Sequence, residues 1–197
     1  MASTTVGIDE EKLTTSEIEQ GQQYLDHTRT GVIGVTRGLT EAQWKFKPSA
    51  DAWSIEEILE HMVVVQDRVL GPILQKLAES AAATNSDCEQ VDAIVIHQFT
   101  DRRTKFKGPD FIMPTGQLPH AEALGRLLTN YKRLNDHLEE ATGLRQHVAE
   151  AAPLKAITQG KHQFMDGYQW VLAAGAHTDR HTKQILEVKA DPGFPLN

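Results

Sequence analysis

The sequence predicts an all-α fold: an up-down four-helix bundle with long connections and a short extra helix. Three observations lead there. Apolar residues recur in alternating steps of three and four over four long stretches, the spacing at which a helix returns to one face. No stretch of useful length alternates apolar and polar residues as a half-buried strand does. Between the stretches lie segments rich in proline, glycine and small polar residues, which let each helix turn back and bury its stripe against the others. The 197 residues suffice for one domain. They divide into a flexible arm over residues 1–15, a bundle over 16–190 and a tail over 191–197.

The first helix is expected to open at Ser16, with Ile18, Gly21, Leu25, Thr28, Val32, Val35 and Leu39 as its stripe. Gly31, Gly34 and Gly38 each weaken it by roughly 1 kcal/mol relative to alanine, so packing must hold it, with room for a close neighbour. Residues 40–52, with Trp44 and Pro48, read as a connection. Ser54 then has the position of an N-cap and Glu57 that of its capping-box partner. The stripe Ile58, Met62, Val65, Val69 follows, and Gly71-Pro72 should kink or restart the helix before it ends near Glu79. Residues 81–89 read as a loop and 91–103 as the short helix. Three prolines make 107–119 irregular. A third long helix is expected from His120, stopped by Gly143, with Leu124, Leu127, Leu128, Tyr131, Leu134 and Leu138 inside. Residues 144–163 fit no pattern. Asp166 should cap the last helix, which carries Trp170, Ala173, Ala174, His177, His181, Ile185 and Val188 and stops at Asp191-Pro192-Gly193.

Composition narrows the function. Twenty basic against 27 acidic residues give a net charge of −7, which opposes a broad nucleic-acid interface. The lone Cys88 supplies neither an internal disulfide nor a thiolate cluster, as suits a reducing compartment. Apolar runs fall far short of the ~20 residues of a membrane span, and no leader is visible, so a cytoplasmic protein without membrane contact is expected.

Nine histidines remain. His137 and His147, in polar surroundings, read as solvated. His177 and His181 are one turn apart on the inward stripe of the last helix, and His61 shares the inward face of the second with Ile58 and Val65. An interior imidazole left unpaired costs about 1–3 kcal/mol; three from two helices can satisfy one another through a divalent cation. H-x-x-x-H alone is a weak pattern, and a satisfied core histidine explains each residue taken singly. Three imidazoles leave open positions, as at a catalytic ion, and suit zinc, nickel, copper or iron better than magnesium or calcium. The run Ala173–Ala176 either packs closely or leaves room for a substrate. Glu57 reads as a cap, Trp53 as a core plug, and Cys88 as remote from the histidines.

Three stretches, WSIEEILEH (53–61), RTKFKGPDFIMPTG (103–116) and DGYQWVLAAGAHTDRHTKQIL (166–186), resemble the DinB/YfiT-like family of metal-binding four-helix bundles, over roughly residues 16–188. The resemblance implies a metal triad of His61, His177 and His181 holding a divalent ion, nickel or zinc, with water in the remaining positions. Relatives of known activity include thiol transferases that use bacillithiol and an isomerase that uses mycothiol. Two positions depart from the family. The His-Pro pair carried by many members has no clear counterpart, Lys161-His162 standing near its place. Lys183 replaces the glutamate of the sulfoxide-synthase branch, which argues against iron-dependent C–S bond formation.

The function expected is therefore that of a metal-dependent transferase joining a small-molecule thiol to an electrophilic substrate. A non-catalytic metal-binding bundle with a stress-response or interaction role, and a metal-dependent hydrolase, are the alternatives. The catalytic residues, and whether the protein is a homodimer, stay open.

Overall fold

The computed structural model describes residues 11–80, 83, 87–103 and 108–196. Its first long helix, α1 (Thr15–Thr36), starts on a capping box: the Thr14 hydroxyl accepts from the Glu17 amide and the Glu17 carboxylate accepts from the Thr14 amide. The helix stops short of Leu39 because Gly38 takes a left-handed φ of +72°, a conformation that favours glycine. Ahead of α1, Leu13 is buried and Lys12 pairs with Thr142, so residues 11–14 are already tethered. The remainder of the expected arm, 1–10, lies outside the described residues, as do 104–107 of the central motif.

The connection after α1 contains a short helix that the apolar pattern did not reveal, α2 (Glu41–Lys45), capped by Thr40 and Gln43. It buries Trp44, which stacks on the His120 ring with centroids 4.3 Å apart. The second long helix comes in three pieces: α3 (Ile55–Val65), a π turn (Gln66–Leu70) and α4 (Gly71–Ala78). Pro72 lacks an amide hydrogen, and its ring displaces the carbonyl one turn back. The wide turn absorbs both effects, so the helix restarts as expected. The short helix is α5 (Cys88–Gln98), and the third long helix is α6 (His120–Glu140).

Residues 144–163, ambiguous in sequence, hold a three-residue strand and a helical turn, and a second three-residue strand follows directly. These are β1 (Val148–Glu150), α7 (Ala152–Ile157) and β2 (Phe164–Asp166), with Ala149 opposite Met165 in an antiparallel pair. Strands this short show no alternation to read. Their presence corrects the expectation for His147, which is buried against Ser80 instead of solvated, and His137 is half-buried. The last helix, α8 (Gly167–Lys189), begins at Asp166, whose carboxylate accepts from the Gln169 amide at 2.8 Å.

The four long helices make the expected four-helix bundle. Tyr168 donates to the Glu17 carbonyl and Lys189 to the Val35 carbonyl, so α1 and α8 run parallel. Tyr131 meets Thr28 and Leu138 meets Gly21, so α6 runs against α1. Glu56 accepts from the His120 amide and Asp67 from Arg126 and Asn130, so α3 runs with α6. The directions are up, down, down, up, so the third long helix departs from the alternation of the expected up-down bundle, and α3 and α8 are antiparallel neighbours. Because α3 and α6 point the same way, the chain between them must return along the bundle. This is the physical reason for the long connection over residues 79–119. The C-terminal segment is tied down as well: Phe194 packs edge-on against Phe46 and the Pro195 carbonyl accepts from Gln43.

Candidate metal centre

The antiparallel contact of α3 with α8 brings His61, His177 and His181 together. Their candidate ligand nitrogens all lie within 4.8 Å of one another. Ring centroids are 5.1 Å apart for His61–His177, 4.7 Å for His61–His181 and 4.4 Å for His177–His181. Nitrogens sharing one ion at about 2.0–2.1 Å lie roughly 3–4 Å apart, so small ring rotations would complete the convergence. His61 and His181 are buried; His177 is half-buried and is the member that solvent reaches.

α3 delivers His61 because Ser54 and Glu57 close a capping box at its start. The Glu57 amide donates to the Ser54 hydroxyl at 3.2 Å, and the Ser54 amide to the Glu57 carboxylate at 2.7 Å. Glu57 also holds Lys47 at 2.9 Å, so its carboxylate is committed to structure. The His61 Nδ1–H donates to the Ile112 carbonyl at 2.8 Å, leaving Nε2 with a lone pair. That carbonyl is held in place by contacts on either side. Arg68 donates to the Phe111 carbonyl at 2.8 Å, and buried Glu60 accepts from the Thr115 hydroxyl and the Gly116 amide at 2.6 and 2.7 Å. Sequence reading missed Glu60, since a carboxylate beside a candidate ligand looks like any solvated helix residue. Only its position on the buried side of α3 marked it.

On α8, His181 Nδ1 lies 2.8 Å from the Gln184 amide oxygen. His177 keeps Nδ1 buried without a hydrogen-bond partner among the described residues. Burial pushes the His61 imidazole below its ordinary pKa. For His177, burial and then the charges of His61 and Arg180 push it well below; for His181, burial and then His177 and His61 do the same. Three neutral imidazoles, one with an orphaned buried nitrogen, are the donor set a borderline-soft divalent ion requires. Trp53 covers the cluster, its ring 4.9 Å from that of His61 and 6.4 Å from that of His181.

The other sequence candidates fall elsewhere. Ala173, Ala174, Gly175 and Ala176 serve close packing: all are buried, and a Cβ on Gly175 would stand 2.9 Å from the Tyr24 ring. Cys88 opens α5 beside Asp166, at the far end of α8, about 16 Å from His177 at 1.5 Å per residue. Burial and the Asp166 charge push its thiol up. His162, near the place of the missing His-Pro pair, is buried but does not join the cluster.

Three comparisons bear on this arrangement. The sequence model of the DinB superfamily matches residues 24–185. An uncharacterised protein of Bacillus subtilis strain 168, YuaE, is 24% identical over 153 residues, covering 78% of this chain and 87% of YuaE. The solved structure of YfiT from Bacillus subtilis, described as a probable metal-dependent hydrolase with an unusual four-helix bundle topology, matches with a TM-score of 0.56. It is 10% identical and covers 95% of this chain and 94% of YfiT. At that identity the likeness is one of fold. No helix among the described residues is long and apolar enough to cross a membrane.

Proposed function

The chain belongs to the DinB superfamily, and from that premise we propose that it is a divalent-metal-dependent transferase using a low-molecular-weight thiol, with His61, His177 and His181 as metal ligands and nickel or zinc as the ion. The observation that carries the proposal is the convergence of three neutral imidazoles from two helices within 4.8 Å. Such an ion would acidify a thiol and supply a nucleophile at neutral pH.

The chain's own residues prepare the site for that chemistry. The Ile112 carbonyl and the Gln184 amide oxygen take the Nδ1 protons of His61 and His181, so both rings present a lone pair without rearrangement. Trp53 shields one side, and His177 is the half-buried member of the three. In the transfer the thiol proton passes to solvent, sulfur bonds to the electrophilic carbon, and the leaving group departs with the electron pair of the bond it breaks.

Hydrolysis is the second reading, favoured by the description of YfiT. It ranks lower because the neighbouring carboxylates are already committed: Glu57 to its cap and Lys47, Glu60 to Thr115 and Gly116, and Glu187 to Arg102. An acidified thiol needs no such base.

The test is metal analysis of the purified protein, followed by a conjugation screen of low-molecular-weight thiols against a haloalkyl bimane dye. We expect about one ion per chain and a conjugation rate abolished by chelation and by His181→Ala. Turnover of esters or amides without any thiol conjugation would transfer the reading to hydrolysis. A metal-loaded protein inert in both screens would leave a non-catalytic bundle.

A further inference from the structure

We infer that Arg102 and Gln184 are positioning residues for the candidate metal centre: Arg102 fixes the orientation of the Gln184 amide, which in turn fixes the tautomer and ring plane of His181. The inference rests on the reading of the three histidines as metal ligands.

The geometry is a short relay from outside to inside. Arg102 follows α5 in the chain and reaches α8. Its Nε and Nη2 grip the two carboxylate oxygens of Glu187 at 3.1 and 2.8 Å, and its Nη1 donates to Gln184 Oε1 at 3.2 Å. Gln184 Oε1 also faces His181 Nδ1 at 2.8 Å. A carboxamide has one accepting end and one donating end. Were the Gln184 amide turned over, its NH2 would meet the Arg102 guanidinium, donor against donor. The bidentate hold on Glu187 keeps the guanidinium from moving aside. Gln184 therefore presents oxygen to His181, and His181 carries its proton on Nδ1. Its lone pair is on Nε2, on the side of His61 and His177.

The sequence supports a dedicated arrangement. Gln184 is three residues beyond His181 and Glu187 three beyond Gln184, so the three form one ladder along a face of α8. The rung that reads this ladder comes from a different part of the chain. Its counterpart for His61 is also brought from outside the helix, as the Ile112 carbonyl. Partners of this kind orient a ligating imidazole and raise its basicity, and losing one lowers metal affinity by about 10–100-fold.

The experiment has two arms. Long-range 1H–15N correlation spectra of the metal-free protein report the tautomer of His181, and zinc titration reports affinity. The variants are Gln184→Leu, Arg102→Met and Gln184→Glu, the last retaining an acceptor that Arg102 still holds. Wild type and Gln184→Glu should show His181 protonated on Nδ1 and bind zinc within about threefold of each other. Gln184→Leu should lose that tautomer preference and bind about 10–100-fold more weakly, with Arg102→Met between. Unchanged melting of the metal-free variants separates positioning from folding. If Gln184→Leu keeps both the tautomer and the affinity, the inference is overturned while the triad stands. If wild type binds no zinc, the metal reading fails, and the tautomer spectra still decide the relay.

Discussion

His177→Ala is the most discriminating perturbation of the proposed centre. It removes the ring whose centroid lies 4.4 and 5.1 Å from its two partners. His61 and His177 are separated by 177 − 61 = 116 positions, so the unfolded chain does not present the three ligands together. An ion that binds only the native state adds RT ln(1 + [L]/Kd), about 2.7 kcal/mol at a hundredfold excess over Kd. At roughly 2–4 °C per kcal/mol for a chain of this size, the wild type should gain about 5–11 °C in Tm. The variant keeps two imidazoles and should move by no more than about 2 °C. Its metal-free form should melt close to the metal-free wild type. The substitution leaves a cavity, but it also deletes a nitrogen buried without a partner, which costs the wild type about 1–3 kcal/mol. Differential scanning calorimetry with added zinc or nickel, against a chelator control, reads all four values. Equal shifts in both proteins would refute the assignment of His177 and with it the triad.

Three further outcomes are expected. Ser54→Ala removes the hydroxyl that accepts from the Glu57 amide and should cost ~1 kcal/mol, read as a lower denaturant midpoint at unchanged m-value. Two glycine-to-alanine changes should have opposite signs. Gly175→Ala places a Cβ 2.9 Å from the Tyr24 ring and should destabilise by about 1–3 kcal/mol, whereas Gly34→Ala meets nothing within 4 Å on α1 and should stabilise by about 0.5–1 kcal/mol; like signs would contradict the packing described. In metal-free protein, His61, His177 and His181 have depressed pKa values, so below about pH 6.5 the unfolded chain binds protons that the folded one does not. Stability should therefore be level above pH 7 and fall as the pH drops towards 5.5, with a slope approaching ~1.4 kcal/mol per pH unit for each histidine that stays neutral. Urea titrations at stepped pH measure that slope, and a flat profile across 5.5–7 would contradict it.

The bundle was legible because long stripes survive local irregularity, and where the reading slipped, a specific local event was responsible. The spacing placed Val69 on the inward face of the second long helix. In the structure Val69 is half-buried and Leu70 is buried. The π turn over Gln66–Leu70 inserts one residue into the helical count and advances everything after it by one position. Gly71-Pro72 signalled an interruption, but its kind depends on packing that no local pattern encodes. Similarly, Gly31, Gly34 and Gly38 read as a close-approach surface, yet only Gly31 has a neighbour, Thr182, within 4 Å of its would-be Cβ. The close approaches are at Gly21, Gly108, Gly167 and Gly175. The convergence of His61, His177 and His181 was legible because all three lie on regular helix, two of them a single turn apart. Glu60, Gln184 and Arg102 were not, because what they do depends on a crossover meeting a helix more than forty residues away in sequence.

The same feature explains why the site lies where it does along α8. The start of that helix is clamped. Asp166 caps it and accepts from Arg145 at 2.9 Å, and Arg145 also grips Asp92 and Glu17 at 2.7 and 2.8 Å while lying over the Tyr168 ring. The middle is pressed against Tyr24 at Gly175. With translation and rotation of the helix fixed there, His177 and His181 have their height and facing set before any ion arrives. Their ring planes are not set by this, since a helix narrows χ1 to two common rotamers and leaves χ2 open. For His181 the Gln184 amide removes that freedom, as the Ile112 carbonyl does for His61 on α3, and both are governed by the long connection between α3 and α6. The crossover required by two parallel helices is thus the segment that finishes the centre: residues 108–116 orient His61, and Arg102, just after α5, orients His181.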